Sequence, residues 1–160
     1  MKIFLSIEVT SRELEARTLL ASYAVKHGFE VVMGRKKELI EQALVSEPGI
    51  FLSQWGLLRN FKKLYRTLKS LGHTIVCLDE EGLVTFRRFE DYVATKVDSE
   101  CLSLVDKVLC WGTSQENNFK TLFPEYSFKF EAVGNPRDDI LADVFNDLFA
   151  FEGIETNVFK

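Results

Sequence analysis

Short runs rich in β-branched and aromatic residues alternate with amphipathic stretches along most of this chain, and no other feature restricts the fold as much. Lys2 to Val9 reads as a strand. Thr10-Ser11-Arg12-Glu13 then predicts a capping box, in which Thr10 and Glu13 satisfy free amides reciprocally. Ala16, Leu19, Leu20, Tyr23 and Ala24 recur at helical spacing, and Gly28 closes that helix after His27. Glu30 to Met33 is a second strand, Lys37 to Val45 a helix, and Ile50-Phe51-Leu52 a strand after the Pro48-Gly49 turn. Leu58, Phe61, Leu64, Tyr65, Leu68 and Leu71 mark an amphipathic helix that Gly72 ends. Thr74 to Leu78 and Lys107 to Trp111 read as buried strands, with helix from Phe89 to Val105 between them, broken near Asp98-Ser99. Asn117 to Phe123 is helical up to Pro124, and Phe128 to Val133 is the last strand. A final helix sets Ile140, Leu141, Val144, Phe145, Leu148 and Phe149 on one face. Six strands separated by helices predict an α/β fold: a Rossmann-like, doubly wound, mainly parallel sheet with helices on both faces.

One domain over residues 1–160 is expected, because a chain of this length hides roughly 69% of its unfolded surface. Twenty Lys plus Arg against 24 Asp plus Glu leave a net charge of −4, which argues against a generally basic nucleic-acid binder. The longest apolar runs are far shorter than a bilayer span, and Met1 to Ile7 meets Glu8 before a signal-peptide core develops. A cytoplasmic protein without a transmembrane segment is the expectation. Cys77, Cys101 and Cys110 lack paired spacing, and His27 and His73 are the only histidines, so buried thiols and no metal site are expected. Neither GxGxxG nor GxxxxGK[ST] occurs, so no NAD or ATP cofactor is assigned.

In open α/β sheets ligands gather beyond the carboxyl ends of the strands. Glu8, Arg12 and Glu13 follow the first predicted strand, Asp79-Glu80-Glu81 the fourth, Trp111 ends the fifth, and Asn135 and Arg137 follow the sixth. Crowded carboxylates at Asp79, Glu80 and Glu81 supply a general acid or base, or else form a solvated acidic turn. Glu8 is either a base at a strand end or a polar exit from the sheet. Arg59, Lys62, Lys63, Arg66 and Lys69 share a helix that carries no acid. That face would attract phosphate, an anionic sugar or a membrane surface, or would simply be solvated.

Ile7-Glu8-Val9, Ser11-Arg12-Glu13-Leu14 and Gly28-Phe29-Glu30-Val31-Val32 resemble the opening of the bacterial surface carbohydrate biosynthesis proteins. Pro48-Gly49-Ile50-Phe51, Leu78-Asp79-Glu80-Glu81-Gly82-Leu83, Trp111-Gly112 and Gly134-Asn135-Pro136-Arg137-x-Asp139 continue the resemblance in order, over roughly residues 3 to 141. That family is similar in turn to GT-B glycosyltransferases, which face two Rossmann-like domains across a cleft.

The resemblance implies the amino-terminal, acceptor-side half of such an enzyme, acting in capsule or lipopolysaccharide synthesis. Its partners would be a glycan acceptor and a nucleotide sugar, the latter needing a second domain or chain. By that architecture Glu8 is the candidate catalytic base. Arg12, Glu13, Asp79, Glu80, Glu81, Trp111, Asn135 and Arg137 are the candidate substrate-binding residues, and Arg137 offers a planar fork to phosphate or carboxylate. A non-catalytic sugar- or partner-binding module and an epimerase-like domain are the alternatives. Phe145, Phe149, Phe151 and Phe159 either fill the core or face a missing domain or a second copy of the chain.

Overall fold

The computed structural model describes residues 1–54, 56–78, 80 and 88–140. Within them the elements are β1 (Lys2–Ser6), α1 (Thr10–Lys26), β2 (Glu30–Gly34), α2 (Lys36–Val45), β3 (Ile50–Ser53), α3 (Lys62–Ser70) and β4 (Thr74–Leu78). Then follow α4 (Phe89–Lys96), α5 (Ser99–Leu104), β5 (Lys107–Cys110), α6 (Thr113–Leu122), β6 (Phe130–Ala132) and α7 (Pro136–Asp139). The strands form one parallel sheet in the order β2-β1-β3-β4-β5-β6. The chain winds outward from β1 to one side and then to the other, so strand order reverses between β1 and β3. This is the Rossmann-like doubly wound arrangement.

Parallel strands need cover on both faces, and successive residues point to opposite ones. Phe4, Phe51, Cys77 and Val108 face the larger core, against Leu39 and Ala43 of α2, Tyr65 and Leu68 of α3, and Phe119 of α6. Their neighbours Leu5, Leu52 and Leu78 face the other side, where Ala21 of α1 covers them. Helices α1 and α3 each end in a left-handed glycine. The Gly28 and Phe29 amides bond to the Val25 and Ala24 carbonyls, and the Gly72 and His73 amides to those of Lys69 and Leu68. With φ at +84° and +87°, those glycines close Schellman motifs that a Cβ would strain.

Several boundaries differ from the sequence expectation, each for a local reason. The first strand stops at Ser6, and α1 is capped by extended Val9 without a side-chain bond. Thr10 therefore occupies the first helical position, and the predicted reciprocal box does not form. Only its acidic half survives, as the Glu13 carboxylate accepts the Glu8 N–H at 2.8 Å. Helix α6 starts at Thr113, four residues earlier than Asn117. After Pro124 a 3-10 segment runs to Lys129, so the last strand begins at Phe130. The break at Asp98 forms as expected, because its Oδ1 accepts from the Glu100 and Cys101 amides and caps α5. The helix expected from Ile140 onward lies, from residue 141, outside the described residues.

Buried His73 shows how a polar side chain serves this core. Its Nδ1 accepts the Gly49 N–H at 3.1 Å, and its Nε2 meets the Ala43 carbonyl at 2.9 Å, so the Nε2–H tautomer satisfies both. Both ring nitrogens are thereby committed to tying α2, β3 and β4 together.

Candidate functional site

Polar side chains gather along the carboxyl edge of the sheet, in two groups that α1 connects. The first group surrounds the start of α1. Ile7, Glu8, Thr10 and Leu14 line one side of an open hollow of about 550 Å³, and Met33, Gly34 and Arg35 line the other. Apolar walls and a few polar groups suit a ring that has both faces and hydroxyls. Glu8 is exposed here, with Oε1 3.4 Å from the Lys36 Nζ. Behind it the Glu13 carboxylate is only 1% exposed and receives Arg12 at 2.6 Å as well as the Glu8 amide. Burial pushes the Glu13 carboxyl up, but the Glu8 amide and the Arg12 guanidinium outweigh that and hold it below the usual carboxylate range.

The second group is more deeply buried. Glu13 and Arg17 lie one turn apart on the buried face of α1, beside Ala16 and Ala21. From there the Arg17 guanidinium donates to Gln54 Oε1 at 3.0 Å, just beyond β3, and to Glu80 Oε1, beyond β4. Arg137 of α7 approaches the same carboxylate from the other side, its Nη1 3.7 Å from Glu80 Oε2. Asn135 caps α7, its Oδ1 accepting the Arg137 amide at 2.9 Å. Helix α1, the exit of β4 and α7 thus bring together an Arg–Glu–Arg row, with the side-chain amides of Gln54 and Asn135 beside it. Four buried atoms at this rim have no hydrogen-bond partner among the described residues: Ser6 Oγ, Arg17 Nε, Glu80 Oε2 and Asn135 Nδ2. Unsatisfied groups of this kind cost free energy in an empty core and are met by water or ligand.

No protein-family model, curated protein or solved structure matches this chain. The reading of the site therefore stands on its geometry.

Of the residues expected from sequence, Glu8, Arg12 and Glu13 come together at the start of α1, and Glu80, Asn135 and Arg137 come together at its buried side. Trp111 lies further along the edge, half-buried against the smaller core, and its amide donates to Gln115 Oε1 at 2.8 Å. Asp79 and Glu81 lie outside the described residues. Arg17 was not expected in the site, while Gln54 and Lys36 follow predicted strands at this edge but were not singled out as site residues. The i,i+4 spacing of Glu13 and Arg17, next to two alanines, is the pattern that marks Arg17. Small residues let the helix sit close to the strand ends, which turns the two charges inward.

The cationic helix meets neither expectation fully. Lys62 pairs with Asp98 at 3.3 Å and Glu100 at 2.9 Å, Arg66 with Glu100, and Lys69 with Asp106 at 2.8 Å. Its missing acids arrive from α5 and the loop behind it, so three of the five cations are engaged across a helix interface. All three cysteines are free and buried, and burial pushes the Cys101 and Cys110 thiols up to about 11, away from nucleophilic use. Among the described residues no three metal-ligating side chains cluster, and no helix is long and apolar enough to cross a membrane.

The depressed Glu13 carboxyl gives a stability test with a defined sign. Its contribution is present in full above the unfolded glutamate value of about 4.3 and is lost as pH falls through the lower folded value. Glu13→Gln should therefore cost about 1.5–3 kcal/mol at pH 7. The gap from wild type should narrow below about pH 4, as read from urea midpoints. A gap that stays constant with pH would show that shape and not charge holds this position.

Proposed function

We propose that this domain acts in bacterial surface polysaccharide synthesis, on the acceptor side of sugar transfer from a nucleotide sugar. The observation that carries the reading is the concentration of hydrogen-bonding groups at the carboxyl edge, beside the strand-order reversal, with several left unsatisfied. Sugars are recognised by such mixed sets of carboxylates, amides and guanidiniums, since each hydroxyl both donates and accepts. The open hollow would receive the acceptor, with Glu8 at its rim. As the acceptor oxygen bonds to the anomeric carbon, its proton passes to Glu8, and the nucleoside diphosphate leaves with the bonding electron pair. The nucleotide sugar would sit on a second Rossmann-like unit, of the same or another chain. The ordered motifs from Glu8 to Asp139 that resemble the surface carbohydrate biosynthesis family support this choice of reaction.

Deleting the coding sequence in its host and profiling the surface glycan tests the reading. A shortened or missing polymer, restored by a plasmid copy, is the expected result. An unchanged glycan would overturn it.

A further inference from the structure

We propose that Arg17, Glu80, Asn135 and Arg137 form a recognition site for an anionic sugar, one whose carboxylate or phosphate stands next to a free hydroxyl. This deepens the sugar-transfer reading and takes from it only the choice of a sugar.

The chemistry follows from what each side chain has left to offer. Arg17, 3% exposed, spends its terminal nitrogen on Gln54 and Glu80 and keeps Nε–H unused among the described residues. Glu80 has one oxygen on Arg17, while Oε2 accepts no hydrogen bond and stands 3.7 Å from Arg137, beyond bonding range. Asn135, 1% exposed, uses Oδ1 on the Arg137 amide and leaves Nδ2 unused. The vacant set is therefore one buried acceptor, two buried donors and the fork of Arg137, whose side chain is 34% exposed and open to a ligand.

Charge decides what fits. Within the row itself Arg17 and Glu80 neutralise each other in direct contact, and Arg137 adds one further positive charge. A bare anion would meet Arg137 and Asn135 but would leave Glu80 Oε2 without a donor and repel it. A neutral sugar would satisfy Glu80 but leave Arg137 without a counter-charge. A hydroxyl beside an anionic group does both: its O–H donates to Glu80, and the anion accepts from Arg137 and Asn135.

Titration of the 15N-labelled full chain with glucuronate, glucose 1-phosphate, glucose and inorganic phosphate, at constant ionic strength, tests the assignment. At least one anionic sugar should bind, with amide shifts centred on Arg17, Glu80, Asn135 and Arg137. Glucose and inorganic phosphate should bind at least about tenfold more weakly. Comparing glucuronate with glucose 1-phosphate tells a carboxylate ligand from a phosphate one. Asn135→Asp keeps the α7 cap and removes the Nδ2 donor, and Arg137→Gln removes the fork. Each should weaken binding at least about tenfold; Arg137→Gln should leave the thermal midpoint little changed, while Asn135→Asp, which sets a carboxylate at a position 1% exposed, should lower it. Equal binding of glucose, inorganic phosphate as tight as glucose 1-phosphate, or no binding of either anionic sugar would overturn the proposal, and the wild-type titration alone decides this if a variant fails to fold. Binding without any effect of gene deletion on the glycan would leave this site standing and remove the transfer reading.

Discussion

If Glu8 is the base of the proposed sugar transfer, Glu8→Gln is expected to lower the rate of nucleoside diphosphate release by about 10²–10⁴-fold, the usual contribution of a positioned general base. Glutamine keeps the size and outline of the side chain, so the acceptor hollow keeps its shape, and KM for the acceptor should change little. What disappears is the oxygen that takes the proton. Stability should hardly move, because the group lost is the exposed partner of Lys36 at 3.4 Å. Such ion pairs contribute about 1 kcal/mol or less. The Glu8 backbone amide donates to Glu13 whichever side chain residue 8 carries. The measurement is kcat and KM for variant and wild type, each assayed together with the unit that binds the nucleotide sugar, with a thermal midpoint of the chain as control. An unchanged kcat would remove Glu8 as base, and a raised KM at constant kcat would make it an acceptor-binding residue only.

The architecture was legible in the residues because neighbouring residues of the central strands are apolar and buried on both faces of the sheet. Phe4 and Leu5, Phe51 and Leu52, and Cys77 and Leu78 divide between the two cores as alternation demands. Parallel strands must exclude water on both faces, so their sequences carry an unbroken apolar signal. The helix ends at Gly28 and Gly72 were equally plain, since a left-handed residue admits few substitutes. The start of α1 was not. Val9 caps it with backbone alone, and a helix that moves by one residue converts a reciprocal box into a single reach-back from Glu13.

The site was half legible for a related reason. Fold topology brings strand ends to one edge, so Glu8, Glu80, Asn135 and Arg137 could be placed there without knowing any contact. Gln54 follows the third strand and falls on the same edge, but Arg17 could not be placed, since its position depends on which way a helix turns. Apolar spacing pointed to Ala16, Leu19, Leu20, Tyr23 and Ala24 as the inner stripe of α1, and Ala16 is buried while Leu20 packs against the smaller core. Tyr23 is instead 52% exposed while Arg17 is 3% exposed. The buried face of α1 is thus turned toward Glu13 and Arg17, and that is a tertiary decision. The acids that meet the α3 cations show the same limit, for Asp98, Glu100 and Asp106 lie more than thirty residues along the chain from the lysines and arginine they meet.

Arg17→Met should destabilise the fold by about 3–5 kcal/mol, the usual result of removing one partner from a buried ion pair. Methionine fills much of the arginine volume, so the cost is electrostatic more than steric. It leaves Glu80, 8% exposed, with Arg137 at 3.7 Å as its remaining cation and strips Gln54 Oε1 of its donor. If the row were there for stability, that loss would be final. Buried ion pairs seldom stabilise more than well-packed apolar side chains do, because desolvating two charges offsets their attraction. Arg17→Met with Glu80→Met should therefore recover most of the lost stability, as read by urea unfolding of the wild type, both single variants and the double variant. The recovered double variant has neither the Glu80 acceptor nor the Arg17 donor, so it should fold and fail to bind either anionic sugar. That pairing of restored stability with lost binding separates a ligand site from a structural clasp. A double variant less stable than Arg17→Met alone would mean that the charges hold α1 against the strand ends, and the case for a ligand there would fall with it.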